Sequence, residues 1–229
     1  MLISHTHKFA FIHVPKTAGV SVWAALHPYA DHTDHYWANR WLARIGIHVN
    51  HYAPYRLKKF RMHVDAATLE RQLPATVFAD LFKFAFVRNP WDLLVSYYHY
   101  LHQSAGHHRH RHLARASDFD TYVRYEIRRN KISQTRMLVD RRDRLLVDFV
   151  GRFESLASDF GWICRQIGVT AALPRHNGSR RGDYRDFYSN RLVRLVADHF
   201  AADIERFGYR FEDGMTADRM ATASIPRVA

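Results

Sequence analysis

The chain has 229 residues, 47% hydrophobic and 14% aromatic, which excludes a disordered or low-complexity class over most of its length and leaves room for one sizeable core. Its formal net charge of +12 draws polyanions to the surface, whether nucleic acid, anionic membrane, acidic glycan or a multiply phosphorylated nucleotide, and does not choose among them. A single cysteine, Cys164, excludes an internal disulfide and fits a reducing compartment.

The opening "MLISHTHKFAFIHVPK" lacks the apolar core of a signal peptide, and no run approaches the roughly 18 apolar residues of a membrane span. A cytoplasmic protein without an integral membrane segment is expected. The stretch "KFAFIHV" (8–14) is short, apolar and rich in β-formers, and Pro15 bounds it, so it reads as a buried strand. The loop Lys16-Thr17-Ala18-Gly19-Val20-Ser21 follows, then an apolar-periodic stretch through Val22, Trp23 and Leu26 that ends near Pro28. This is strand, loop and helix.

From Tyr29 to Met62 aromatics, histidines and arginines alternate without a sustained period, as in a long functional excursion. There Tyr36, Trp37, Trp41, Tyr52 and Tyr55 offer aromatic faces for a sugar or pack against one another. "DAATLERQL" (65–73) predicts a short helix capped by Asp65. "FKFAFV" (82–87) is a second buried strand, and the "RNP" after it starts a helix, with Asn89 as N-cap and Pro90 at the first helical position. Along that helix Trp91, Leu94, Val95, Tyr98 and Leu101 form the apolar stripe; Asp92, Ser96, His99 and Gln103 lie on another face.

A basic loop, "SAGHHRHRHLARAS" (104–117), precedes helical patterns through "FDTYVRYEIRRN" and "ISQTRMLVD". "RLLVDFVGRFE" (144–154) predicts a third strand. A helix over 156–167 follows, with Cys164 as a small buried residue, then the basic loop "PRHNGSRRGDY" and one long amphipathic helix through "NRLVRLVADHFAADIERF". Strands alternating with helices predict an α/β fold: a single domain over 1–213, a mainly parallel sheet flanked by helices, a P-loop-like nucleotide-binding core and a loose tail over 214–229.

In the phosphate-binding loop of nucleoside triphosphatases, glycine precedes lysine. Here Lys16 precedes Gly19, which counts against an ATP- or GTP-dependent kinase. The physics of an anion cradle survives the change of order, because successive amides and a helix start still converge on one point. Lys16 adds a point charge, Thr17 and Ser21 add hydroxyls, and Gly19 permits close approach. A capped strand-to-helix turn with a solvated lysine is the alternative.

"PKTAGVS" after the first strand and "FVRNPWDLLVSYY" after a later one resemble the sulfotransferase superfamily that uses 3′-phosphoadenosine 5′-phosphosulfate (PAPS), most closely the branch of carbohydrate sulfotransferases and their bacterial relatives. The likeness runs from about Lys8 to Phe211 and takes in "LLVDFVGRFESLASDFGWICRQIGV" and "FAADIERFGYRF". It implies sulfuryl transfer from PAPS to a hydroxyl acceptor of the carbohydrate class, an anionic glycan being compatible with the basic surface, with adenosine 3′,5′-bisphosphate as product. It implies further that Lys16, Thr17, Ala18, Gly19, Val20 and Ser21 bind the 5′-phosphosulfate, that Arg88 and Ser96 bind the 3′-phosphate, and that Arg180 and Arg181 belong to a late basic loop near the nucleotide.

This chain departs from the family pattern at Val20, where a hydroxyl residue is common, and at Leu93, where an arginine is common and the change is expected to alter surface pairing only. Positioning and charge stabilisation should dominate catalysis, with Lys16 on the bridging oxygen and no metal required in principle. His63 matches the catalytic histidine of the resembling branch and would be the general base; His51, His13 and His99 are the fallbacks. "GHHRHRH" (106–112) lacks carboxylate or thiol partners, so it reads as a solvated loop that meets an anionic acceptor, not as a metal tract. The rival reading is a basic nucleic-acid-binding protein on a nucleotide-binding scaffold, which the charge alone favours.

Overall fold

Phe9, Ala10, Phe11 and Ile12 in one strand and Phe84, Ala85, Phe86 and Val87 in another are all fully buried, as expected of strands that are covered on both faces. The structure, a computed structural model, describes residues 1–31, 41, 62–103, 118–174 and 182–213. The chain divides into two compact units, Met1–Phe86 with Arg136–His176 and Val87–Thr135 with Asn177–Ala229.

The sheet belongs to the first unit, apart from Val87. Its order is β1 (Leu2–Ser4), β2 (Phe9–Ile12), β3 (Phe82–Val87), β4 (Phe149–Arg152). β2 and β3 run parallel, with Phe9 opposite Phe82 and Ile12 opposite Ala85. β1 pairs antiparallel with β2, Leu2 opposite Phe11, which makes the sheet of this α/β fold a mixed one. Three residues are too few to show a period, and the reversal is made by Lys8 in the left-handed region at φ 50°. The strand predicted over 144–154 is confined to β4. Ahead of it Leu145 bridges Val139, and the Asp148 carboxylate accepts the Lys83 amide at 2.7 Å.

α1 (Gly19–Leu26) and α7 (Leu156–Gln166) pack on the sheet: Val22 and Leu26 from one, Phe160, Ile163 and Cys164 from the other, join the phenylalanine cluster. Burial raises the Cys164 thiol above its ordinary pKa, so it acts as a small apolar residue. α2 (Ala66–Gln72) is capped as predicted, the Asp65 side chain accepting the Thr68 amide at 2.6 Å. α3 (Ala75–Asp80) leads into β3. Lys83, 6% exposed, gives its ammonium protons to Asp148 at 2.8 Å and to the carbonyls of Phe78 and Leu81 at 3.1 and 2.6 Å. All three of its donors are matched.

The second unit is helical: α4 (Pro90–Gln103), α5 (Phe119–Arg129), α8 (Asn190–His199) and α9 (Ala201–Phe207), while α6 (Thr135–Leu138) starts at its edge. The Asn89 side chain accepts the Trp91 amide at 3.1 Å, the predicted N-cap. Trp91, Leu94, Val95 and Leu101 meet Tyr122, Val123, Leu192 and Val196 in the core. Leu93 is in this core too, 1% exposed, which corrects the expectation that it bears on surface pairing. The helix predicted through 190–207 is two helices that meet at buried Phe200, whose amide donates to Val196 and whose carbonyl accepts from Ile204, both at 2.9 Å.

Candidate functional site

The loop after β2 departs from ordinary backbone twice in three residues. Lys16 and Ala18 lie in the left-handed region, at φ 67° and 63°, a conformation that costs a non-glycine residue on the order of 1–2 kcal/mol. Strain of this kind persists only where the surrounding structure enforces it. Ala18 is the N-cap of α1 and its carbonyl accepts from Ser21 and Val22 at 2.9 and 3.1 Å, so the Gly19 and Val20 amides belong to the first turn, which has no intrahelical acceptors. Thr17 is fully buried and donates to the Val14 carbonyl at 2.9 Å, bracing the turn. Ser21 is buried at 7% exposure while Val20 is 58% exposed. Lys16 is half-buried beside them.

His13 lies against this loop. It is 3% exposed and stacks on Phe11 at 5.6 Å between centroids. A Cβ added to Gly19 would sit 1.9 Å from its Cδ2 and Nε2, so the close approach that Gly19 permits is the approach of this imidazole. Burial foremost, with smaller contributions from His63 and the Met1 amino group, pushes the His13 pKa down to about 3, and the ring is neutral at ordinary pH. Its buried Nδ1 makes no hydrogen bond. His63 packs over it, centroids 4.5 Å apart, and places Nδ1 2.9 Å from the His13 carbonyl oxygen. A carbonyl only accepts, so that nitrogen carries the proton, and a neutral His63 keeps its lone pair on Nε2 in an exposed ring.

In the second unit Arg88 and Ser96 are brought together: Arg88 Nη1 donates to Ser96 Oγ at 3.1 Å. The guanidinium is held at its Nε edge by Asp92 at 2.6 Å, with the two side chains 6% and 13% exposed. Gln134 brackets the Arg88 main chain, its Oε1 accepting the amide at 2.8 Å and its Nε2 donating to the carbonyl at 2.7 Å. Asp203, 1% exposed, accepts the amides of Gln134 and Thr135 at 2.9 and 2.8 Å. It thereby caps the start of α6 at Thr135, and the bridge of Val139 to Leu145 follows directly on its last residue, so only one turn of the helical pattern in "ISQTRMLVD" is helix. Asp92 was legible as a charge four residues from Arg88. Gln134 and Asp203, 46 and 69 residues from their partners, left no local signal. His99, one turn beyond Ser96, packs edge-on against Phe187 at 5.4 Å. Arg180, Arg181, His51, the 106–112 loop, the aromatics of the excursion other than Trp41, and the 214–229 tail lie outside the described residues.

A model of the sulfotransferase family matches residues 1–210. A mouse sulfotransferase, SULT7A1, solved in complex with PAP, is similar in fold, with a TM-score of 0.51 at 12% identity over 93% of this chain and 88% of that one. No curated protein matches. Among the described residues no helix is long and apolar enough to cross a membrane.

Proposed function

This chain belongs to the sulfotransferase family, and from that premise we propose that it moves a sulfuryl group from PAPS to a hydroxyl of a carbohydrate acceptor. The observation that carries the choice of donor is the Arg88–Ser96 contact of 3.1 Å. A guanidinium and a hydroxyl converge there as a phosphate monoester requires, and Asp92 holds the guanidinium by its Nε edge. A 3′-phosphate is what distinguishes PAPS and its product from ATP. The PAP-bound mouse sulfotransferase agrees with this donor class.

In this reading the 16–21 loop holds the 5′-phosphosulfate through first-turn amides, the Lys16 ammonium and the Ser21 hydroxyl. His63 takes the acceptor proton on Nε2 as the acceptor oxygen forms its bond to sulfur. The bond between sulfur and the bridging oxygen breaks in the same step. Lys16 stabilises the charge that gathers on that oxygen, and adenosine 3′,5′-bisphosphate leaves. The +12 charge favours an anionic glycan among carbohydrate acceptors.

Calorimetric titration with adenosine 3′,5′-bisphosphate, with ATP as control, tests the donor assignment. Wild type should prefer the bisphosphate and Arg88→Ala should lose the preference. A preference for ATP, or none, would overturn it.

A further inference from the structure

Arg88 is the last strand-side residue before α4, and two independent grips hold it. Asp92 takes the side chain. Gln134 takes the main chain, filling amide and carbonyl at once with bonds of 2.8 and 2.7 Å, as a neighbouring strand would. Gln134 is itself 1% exposed, and its own amide is pinned by the carboxylate of Asp203 at 2.9 Å. The same carboxylate holds the Thr135 amide at 2.8 Å and meets the Ser133 hydroxyl at 3.4 Å. A buried carboxylate with this many donors is fixed in place, and it fixes the peptide that carries Gln134.

The direction of an arginine fork is set by where its Cα sits and how its backbone is turned, so a shift of the main chain at Arg88 moves the guanidinium away from Ser96. Resting on the donor reading above, we propose that Gln134, anchored by Asp203, is a positioning residue that sets the specificity of the Arg88–Ser96 pair for a 3′-phosphate. It touches no nucleotide and acts only through Arg88. A site of this kind tolerates displacement of about half an ångström before recognition fails.

The test is calorimetric binding of adenosine 3′,5′-bisphosphate and of adenosine 5′-monophosphate, which lacks the 3′-phosphate, to wild type, Gln134→Ala, Asp203→Asn, Arg88→Ala and the Arg88→Ala/Gln134→Ala double variant. We expect Gln134→Ala to weaken the bisphosphate roughly 10- to 100-fold while the monophosphate changes by less than about 3-fold. In the Arg88→Ala background Gln134→Ala should add nothing to the loss of preference.

An unchanged preference in Gln134→Ala overturns the inference and leaves the donor reading standing. So does a matching fall for both ligands, which would mark general loosening, or full additivity in the double variant. If wild type shows no preference for the bisphosphate, donor reading and inference fall together. Should circular dichroism show Gln134→Ala unfolded, Asp203→Asn decides on the same ratio: a fall confined to the bisphosphate supports the inference, and an unchanged ratio overturns it.

Discussion

His63 donates its Nδ1 proton to the main-chain carbonyl of His13 across 2.9 Å, which orients the ring and leaves the opposite nitrogen as its base. A histidine held this way needs no neighbouring carboxylate to select its tautomer. His63→Ala should lower the turnover of sulfate transfer, measured with the hydroxyl acceptor returned by a labelled-donor screen, by about 100- to 10,000-fold. Its affinity for adenosine 3′,5′-bisphosphate should stay within about 3-fold of wild type, since removing a base uncouples chemistry from donor binding. Turnover within a factor of a few of wild type would rule His63 out as the base.

Gly19 lies against the ring of His13. A Cβ placed 1.9 Å from two atoms of a ring that is 3% exposed cannot be absorbed by a flexible side-chain end. Gly19→Ala should therefore destabilise the protein by about 1–3 kcal/mol in urea unfolding. Combining it with His13→Ala should recover most of that loss, because the atoms that collide are gone. Equal losses in both backgrounds would mean that Gly19 is needed for some other reason.

The neutral state of His13 makes stability depend on pH. The unfolded ring binds a proton near 6.5, the folded one only near 3. Between those values the unfolded state holds more protons, so stability is complete above the upper value and falls as pH drops through the window. At about 1.4 kcal/mol per pH unit, going from pH 6.5 to 4.5 should remove on the order of 2 kcal/mol through this residue. His13→Phe should show a correspondingly flatter urea-midpoint profile over that range. Parallel profiles would show that His13 is not the group responsible.

The elements that could be read from the sequence were those whose physics is local. "FKFAFV" announced β3 by continuous burial, and "RNP" announced α4 through a capping asparagine and a proline at the first helical position. Asp65 announced α2 in the same way. β1 escaped because three residues carry no period, and the break at Phe200 escaped because hydrophobic periodicity continues across it. Within the site, Arg88 and Ser96 were paired through the family resemblance, with Arg88 at a strand end and Ser96 on the non-core face of the helix that follows. That Gly19 also makes room for an imidazole was not legible, since nothing in a sequence shows that the group crowding a glycine is a histidine six residues before it. Gln134 and Asp203 depend on contacts across 46 and 69 residues, which only the folded chain displays.

Asp92 is the counter-ion of the Arg88 guanidinium. Its carboxylate meets Arg88 Nε at 2.6 Å, and the side chains are only 13% and 6% exposed. Withdrawing one member of such a pair leaves the other charge without its counter-ion in a place water hardly reaches, and that imbalance, more than the lost attraction, sets the cost. Asp92→Asn should accordingly destabilise the protein by about 2–3 kcal/mol in urea unfolding. In an Arg88→Met background the same change should cost less than about 1 kcal/mol, because the guanidinium that required the carboxylate has been replaced by an apolar chain of similar length. If Asp92→Asn costs as much without Arg88 as with it, the carboxylate serves some other partner, and Arg88 is held in place by Ser96 and Gln134 instead.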